Sequence, residues 1–158
     1  MRGIAFQNLG KSAYFARLTV FAFLLVGAVF NSAMARPPLS QVQMEKLMKV
    51  IDERGQNVRL NDRISGALGL GDDVIIRQAT ANDPVDHQSY FFAIVPASGQ
   101  YLIGTQDLLG AYIFLVDPDL RLIAGVSTRG VVQKIPLPEA GKQANDLFAK
   151  FAAFLEMN

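Results

Sequence analysis

Apolar and polar positions follow a helical period between Leu39 and Gly55. The apolar residues are spaced three and four apart, as on one face of an amphipathic helix: Met44, Leu47, Met48 and Ile51. Ser40 and Gln43 have the spacing of a capping box, Leu39 stands where a hydrophobic staple residue would, and Gly55 ends the pattern. The sequence therefore predicts a helix of about four turns that buries one face.

A shorter helical pattern follows Asn61, a residue type that caps helix N-termini. Its apolar residues are Leu60, Ile64, Ala67 and Leu68. The stretch GALGLG, residues 66–71, ends this pattern. Its glycines lack the order and the strand-to-helix context of a dinucleotide-binding loop, and they favour the end of a helix instead.

The middle of the chain changes to short runs rich in Val, Ile, Phe, Tyr and Thr, which are typical of strands. Five such runs occur, at residues 73–80, 89–96, 100–106, 110–117 and 120–128. The turn sequences PASGQ and DPD are so short that the runs they join must pair antiparallel. The run AYIFLV is apolar on both faces, so we expect it inside the sheet. VVQKI, residues 131–135, either adds a sixth strand or follows a sheet edge.

The last element is an amphipathic helix within residues 138–158. Its apolar stripe contains Ala144, Leu147, Phe148, Phe151, Phe154 and Leu155. The sequence thus predicts an α+β fold for one domain at residues 39–158. An antiparallel meander of about five strands is flanked by an N-terminal helix with a short second helix, and by the C-terminal amphipathic helix.

Residues 1–35 have the three parts of a secretory signal peptide. Arg2, Lys11 and Arg17 give a positively charged start, residues 18–30 are apolar, and AMA ends in a small-x-small cleavage site at Ala35. We therefore expect export, periplasmic or secreted, with cleavage after Ala35 and a Pro-containing spacer at residues 36–38. The alternative is an uncleaved membrane anchor through residues 18–30, although about 13 residues are short for a bilayer, which needs roughly 20.

Charge and cysteine content narrow the function classes. The chain has 15 basic and 14 acidic residues and no cysteine. Removal of residues 1–35 takes away three basic residues and leaves 12 basic against 14 acidic ones. No basic stripe remains, which argues against nucleic-acid binding. The lack of cysteine excludes disulfides, thiol nucleophiles and thiolate metal sites.

The only histidine, His87, stands in NDPVDHQSY beside Asp83 and Asp86. A histidine near carboxylates has the residue types of an acid–base site. The sequence Asn-Asp-Pro is also a turn signal, and it lies between two strand runs. The pattern favours a strand-connecting loop, and an enzyme that uses His87 with Asp83 or Asp86 is the less favoured alternative.

Three arginines, Arg77, Arg121 and Arg129, lie on or beside predicted strands. Two of them on one exposed sheet face could bind a carboxylate or phosphate through paired hydrogen bonds. Isolated arginines of this kind are more often solvated or protect a sheet edge. We take these three residues and His87 as the candidate binding residues.

No catalytic motif, metal-ligand cluster or cofactor loop stands out, so no cofactor and no metal are predicted. GVSTRG, residues 125–130, has its second glycine one residue too late for the nucleophile elbow of hydrolases. The sequence favours an exported, non-catalytic binding or accessory protein with a protein or small-molecule partner. It would act through a sheet face, an edge strand or the groove beside the C-terminal helix, without membrane contact after cleavage. The alternative is a membrane-tethered accessory subunit with a retained leader.

Overall fold

The computed structural model describes residues 37–83, 85 and 87–157. The predicted leader and Asp86 lie outside the described residues. None of the helices within these ranges combines the length and the apolar character needed to cross a bilayer.

The described residues form an α+β fold with three helices and one antiparallel sheet, as the sequence predicts. The helices are α1 (Gln41–Arg54), α2 (Asp62–Leu68) and α3 (Leu137–Met157). The strands are β1 (Gln56–Arg59), β2 (Ile75–Asn82), β3 (Ser89–Val95), β4 (Gln100–Asp107), β5 (Gly110–Val116), β6 (Leu122–Ser127) and β7 (Gln133–Lys134). Each strand pairs with the next in the chain, so the sheet is a meander.

The predicted number of about five strands was wrong, because the sheet has seven. The additional strands are the two edges. β1 is four residues long and has the mostly exposed sequence QNVR, which carries no apolar alternation. β7 lies within VVQKI, where the sequence predicts either a sixth strand or a sheet edge, and it contains only two paired residues. Short, polar edge strands of this kind give little sequence signal, although they protect a sheet from pairing with other chains.

The ends of the first two helices follow the sequence signals closely. At α1, the Ser40 hydroxyl accepts from the Gln43 backbone N–H, and the Gln43 side chain accepts from the Ser40 N–H, so the predicted capping box is confirmed. Gly55 ends α1 in an extended conformation, and a Cβ there would lie 2.2 Å from the Ile51 carbonyl oxygen. At α2, the Asn61 side chain accepts from the Arg63 N–H.

The helices cover both faces of the sheet. α1 and α3 pack together on one face, where buried residues include Ile51, Phe92, Phe114 and Phe148. α2 packs on the other face and contacts β6 and β7. These strands lie at one edge of the sheet, whereas β1, which precedes α2 in the chain, forms the other edge. With helices on both sides, β5 is buried on both faces, as AYIFLV predicts.

The apolar stripe of α3 is buried as predicted, with one exception. Leu147, Phe148, Phe151 and Leu155 are all buried against the sheet and α1, but Phe154 is 39% exposed. Phe154 therefore stands at the edge of the stripe rather than at its centre.

Candidate functional site

A row of polar and aromatic side chains crosses the sheet on the face covered by α3. Tyr90 of β3 pairs with Thr105 of β4, and Thr105 pairs with Tyr112 of β5. Because side chains of paired residues point to the same face of a sheet, the short threonine lies between two tyrosines. This arrangement leaves a notch in the sheet surface at Thr105.

α3 passes above this notch with one polar stripe. Gln143, Asp146, Leu147 and Lys150 are spaced three and four residues apart and therefore share one side of the helix. Between this stripe and the sheet is a groove of about 230 Å³, which we call the α3 groove. It is lined by Gln88, Tyr90, Thr105, Tyr112, Phe114, Gln143, Asp146, Leu147 and Lys150.

One wall of the α3 groove is fixed by contacts of Tyr90. The Lys150 ammonium donates a 2.9 Å hydrogen bond to the Tyr90 hydroxyl and lies 5.2 Å from the centroid of its ring. The same hydroxyl donates to Gln88 Oε1 at 3.0 Å. The ring also packs edge-on against Phe151, with centroids 6.4 Å apart. Tyr90 is therefore held by the helix, by the loop that precedes its strand and by the core.

The opposite wall is fixed by Arg129. Its guanidinium carbon lies 4.9 Å from the centroid of the Tyr112 ring, a cation–π contact. The same guanidinium forms an ion pair with Asp107 at the end of β4. The charge of Arg129 is thus balanced by a neighbouring carboxylate, and its contribution to the α3 groove is to position Tyr112.

Two polar atoms of the groove residues are buried without a hydrogen-bond partner among the described residues: Thr105 Oγ1 and Gln143 Oε1. The Gln143 amide nitrogen donates to Glu139 Oε1 at 3.2 Å. An ionised carboxylate only accepts, so Glu139 fixes the amide orientation and leaves the Gln143 carbonyl oxygen for another donor. Most buried side-chain polar atoms in proteins are hydrogen-bonded, so a buried polar atom without a partner requires an explanation.

Arg77, the first candidate binding residue, serves α1 instead. Its Nε donates to the Ile51 carbonyl oxygen at 3.2 Å, and Nη2 donates to that of Asp52 at 3.1 Å. These carbonyls belong to the last turn of the helix, where a positive charge is stabilising. The Ile51 carbonyl oxygen also accepts from the Gly55 N–H at 2.8 Å. The structure therefore gives Arg77 a capping role.

The other candidate residues are separated from one another. Arg121 is exposed in the β5–β6 turn, where its backbone N–H donates to Asp117 Oδ1 at 2.8 Å. His87 is exposed in the β2–β3 loop and has a left-handed backbone, with φ of 52°. Neither residue lines the α3 groove. Of the four candidates, Arg129 alone contacts a side chain of the groove, namely Tyr112.

A second surface lies at the sheet end near the groove. The β4–β5 turn and the segment after β6 are joined there by the Asp107–Arg129 ion pair and by the Thr128 hydroxyl, which accepts from the Ala111 N–H. Ser89 pairs with Gln106, which brings the β2–β3 loop to the same end. These loops carry exposed apolar side chains: Val85, Leu108, Leu109 and Val131. We call this surface the loop end.

The sequence pointed to a groove beside the C-terminal helix, but none of the residues that line it was predicted to bind a ligand. Thr105 gives no signal by itself, because its importance comes from strand register. The polar stripe of α3 is the feature that could have been found, since Gln143, Asp146 and Lys150 border the apolar stripe at helical spacing.

The chain was compared with protein-family models, with curated proteins and with solved structures, and none of these comparisons gave a match.

Proposed function

We propose that the protein is an exported, non-catalytic binding protein that holds a small ligand in the α3 groove. The supporting observation is the pair of buried, unpartnered atoms, Thr105 Oγ1 and Gln143 Oε1. A buried polar atom without a partner costs about 1–3 kcal/mol. Neither atom is exposed to solvent in this structure, so the two side chains would turn toward a ligand in the groove. A hydrogen bond to each atom would then remove this cost and contribute to affinity.

A sheet face and an edge strand, the two other surfaces that the sequence suggests for binding, are less suited to it. Helices cover both sheet faces, since α1 and α3 lie on one and α2 on the other. The edge strands β1 and β7 are four and two residues long, and peptide addition to a sheet needs a longer unpaired edge. These facts favour the groove over a sheet face or an edge.

The export part of the proposal rests on the leader-like residues 1–35. The N-terminus of the protein recovered from the cells that make it tests this part. A mass and an N-terminal sequence that begin at Arg36 would support export with cleavage. A chain that keeps residues 18–30 and sediments with membranes would favour the tethered accessory subunit instead.

The groove part is tested by a small-molecule stabilisation screen with three proteins: wild type, Thr105→Val and Thr80→Val. Thr105→Val removes only the hydroxyl, because the two side chains have nearly the same shape. Thr80 is an exposed threonine on β2 that pairs with Phe91. Both side chains therefore lie on the α2 side of the sheet, away from the groove, and Thr80→Val is the matched control. We expect compounds that raise the Tm of wild type and Thr80→Val but not of Thr105→Val. If every stabilising compound acts equally on all three proteins, the groove is not the site.

The loop end supports a second candidate function, an accessory subunit that contacts a protein or a membrane. Leu108 is fully exposed at the tip of the β4–β5 turn, and Leu109 is 72% exposed. Exposed apolar residues grouped at one end of a domain mark interaction surfaces more often than scattered ones do. Replacement of Leu108 and Leu109 by serine should abolish partner or vesicle binding while ligand-dependent Tm shifts persist. Unchanged partner and vesicle binding would remove this candidate.

A further inference from the structure

The α3 groove is small and open to solvent. Its volume is about 230 Å³, whereas pockets for drug-sized ligands are about 300–1,000 Å³. The groove therefore has room for a single ring with its substituents.

The charges around the groove balance one another. Asp146 and Lys150 lie one helical turn apart on α3, and both line the groove. Arg129, which contacts the Tyr112 wall, is ion-paired with Asp107. A ligand with net charge would meet a charge of each sign on the helix side, so the groove favours a neutral ligand.

The hydrogen-bonding groups of the groove are mixed. The Gln143 carbonyl oxygen and the Asp146 carboxylate accept, the Lys150 ammonium donates, and the Thr105 hydroxyl does both. A group that both donates and accepts can satisfy all of them, and the hydroxyl is the smallest neutral group that does so. Several hydroxyls on one ring could bind polar groups of α3 and of the sheet at the same time.

The groove also has an apolar base. The side chains of Phe114 and Leu147 are buried beneath it, and the rings of Tyr90 and Tyr112 form the two walls. The C–H face of a saturated ring can pack on this base while its hydroxyls point to the polar groups. A flat, fully polar ligand would leave the base without a contact.

We propose that the α3 groove binds a neutral, polyhydroxylated ring, such as a pyranose sugar or a cyclitol. This inference rests on the proposed function and specifies its ligand class. Thr105 and Gln143 would each bind one ring hydroxyl, with Gln143 accepting. Asp146 and Lys150 would bind further hydroxyls at the helix side.

The experiment is an NMR titration of the isotopically labelled, purified protein with four probes. D-glucose and myo-inositol represent the proposed class, tetrahydropyran is the ring without hydroxyls, and L-serine is a small zwitterion. We expect saturable shifts of the Thr105 and Gln143 signals with at least one of the two polyols and none with the other two probes. Thr105→Val and Gln143→Leu should each weaken that binding about tenfold, as loss of one buried hydrogen bond predicts.

Gln41→Leu is the control for Gln143→Leu, because Gln41 donates to Glu45 in a similar side-chain pair on α1. It should leave polyol binding unchanged. Binding of L-serine or tetrahydropyran at the groove, without polyol binding, would overturn the ligand class while leaving the groove as a binding site. Absence of groove shifts with all four probes would also overturn this inference. The Tm screen with Thr105→Val then decides separately whether the groove binds any small molecule.

Discussion

Lys150 of α3 and Tyr90 of β3 are joined by a 2.9 Å hydrogen bond from the ammonium to the phenol hydroxyl. The two residues are 60 positions apart in the chain, so this contact ties the last helix to the strand that follows the His87 loop. The ammonium lies 5.2 Å from the centroid of the Tyr90 ring. The Lys150 side chain thus helps to hold α3 against the sheet and also positions Tyr90, one wall of the groove.

Lys150→Met tests this contact. The substitution keeps the apolar stem but removes the donor and the charge, so the protein should lose about 1 kcal/mol of unfolding free energy in urea. Lys142→Met, at another exposed position on the same helix, is the control and should have little effect. Equal stability of the two variants would show that the Tyr90 contact does not help to hold α3.

Gly104→Ala should be strongly destabilising. A Cβ at Gly104 would lie 2.1 Å from the Phe91 ring and 2.7 Å from the Tyr112 carbonyl oxygen, so the core cannot accept it without shifting. We expect a loss of about 1–3 kcal/mol, typical of overpacking, in urea unfolding.

Gly66→Ala is the control for Gly104→Ala, and we expect it not to lower the free energy of unfolding. Gly66 is inside α2, and a Cβ there meets nothing within 4 Å among the described residues. Alanine is the better helix former by about 1 kcal/mol, so this variant should be as stable as wild type or more so. If both glycine variants lose stability equally, the packing around Gly104 is not as described.

The sequence revealed the elements whose signals are local. The α1 capping box, the Asn61 cap and the five long strands all depend on residues a few positions apart. The strand count was wrong because β1 and β7 are defined by pairing rather than by apolar alternation.

The site depends on long-range register and could not be obtained in the same way. Thr105 matters because it falls between Tyr90 and Tyr112, and that alignment follows from the lengths of two turns and from strand pairing. The arginines were visible as charges, but their partners, such as the end of α1 for Arg77, come from distant segments.

Arg77 should prove to be a structural residue. Its two carbonyl contacts at the end of α1 require a forked donor, so Arg77→Lys should lose about 1 kcal/mol and Arg77→Met more. Arg121→Met is the control, because Arg121 is exposed and its turn contacts are made by its backbone N–H and carbonyl oxygen. Urea unfolding checks all three variants. A loss of ligand binding without a loss of stability in Arg77→Lys would restore the prediction that Arg77 binds a ligand.

His87 should prove dispensable for binding. Its left-handed backbone, with φ of 52°, is one that glycine adopts without strain. His87→Gly should therefore retain wild-type stability or gain up to about 1 kcal/mol, whereas His87→Ala should not gain. Both variants lack the imidazole, so ligand-dependent Tm shifts that vanish in both would instead support a functional role for His87.

Urea unfolding of Thr105→Val, with and without the best stabilising compound from the screen, tests the central claim most directly. The Thr105 hydroxyl has no partner among the described residues, so its removal should leave the urea midpoint of the free protein unchanged or higher. The same removal should abolish the shift of that midpoint by the compound, while Thr80→Val keeps it. A lower midpoint for free Thr105→Val, combined with an undiminished response to the compound, would contradict the account.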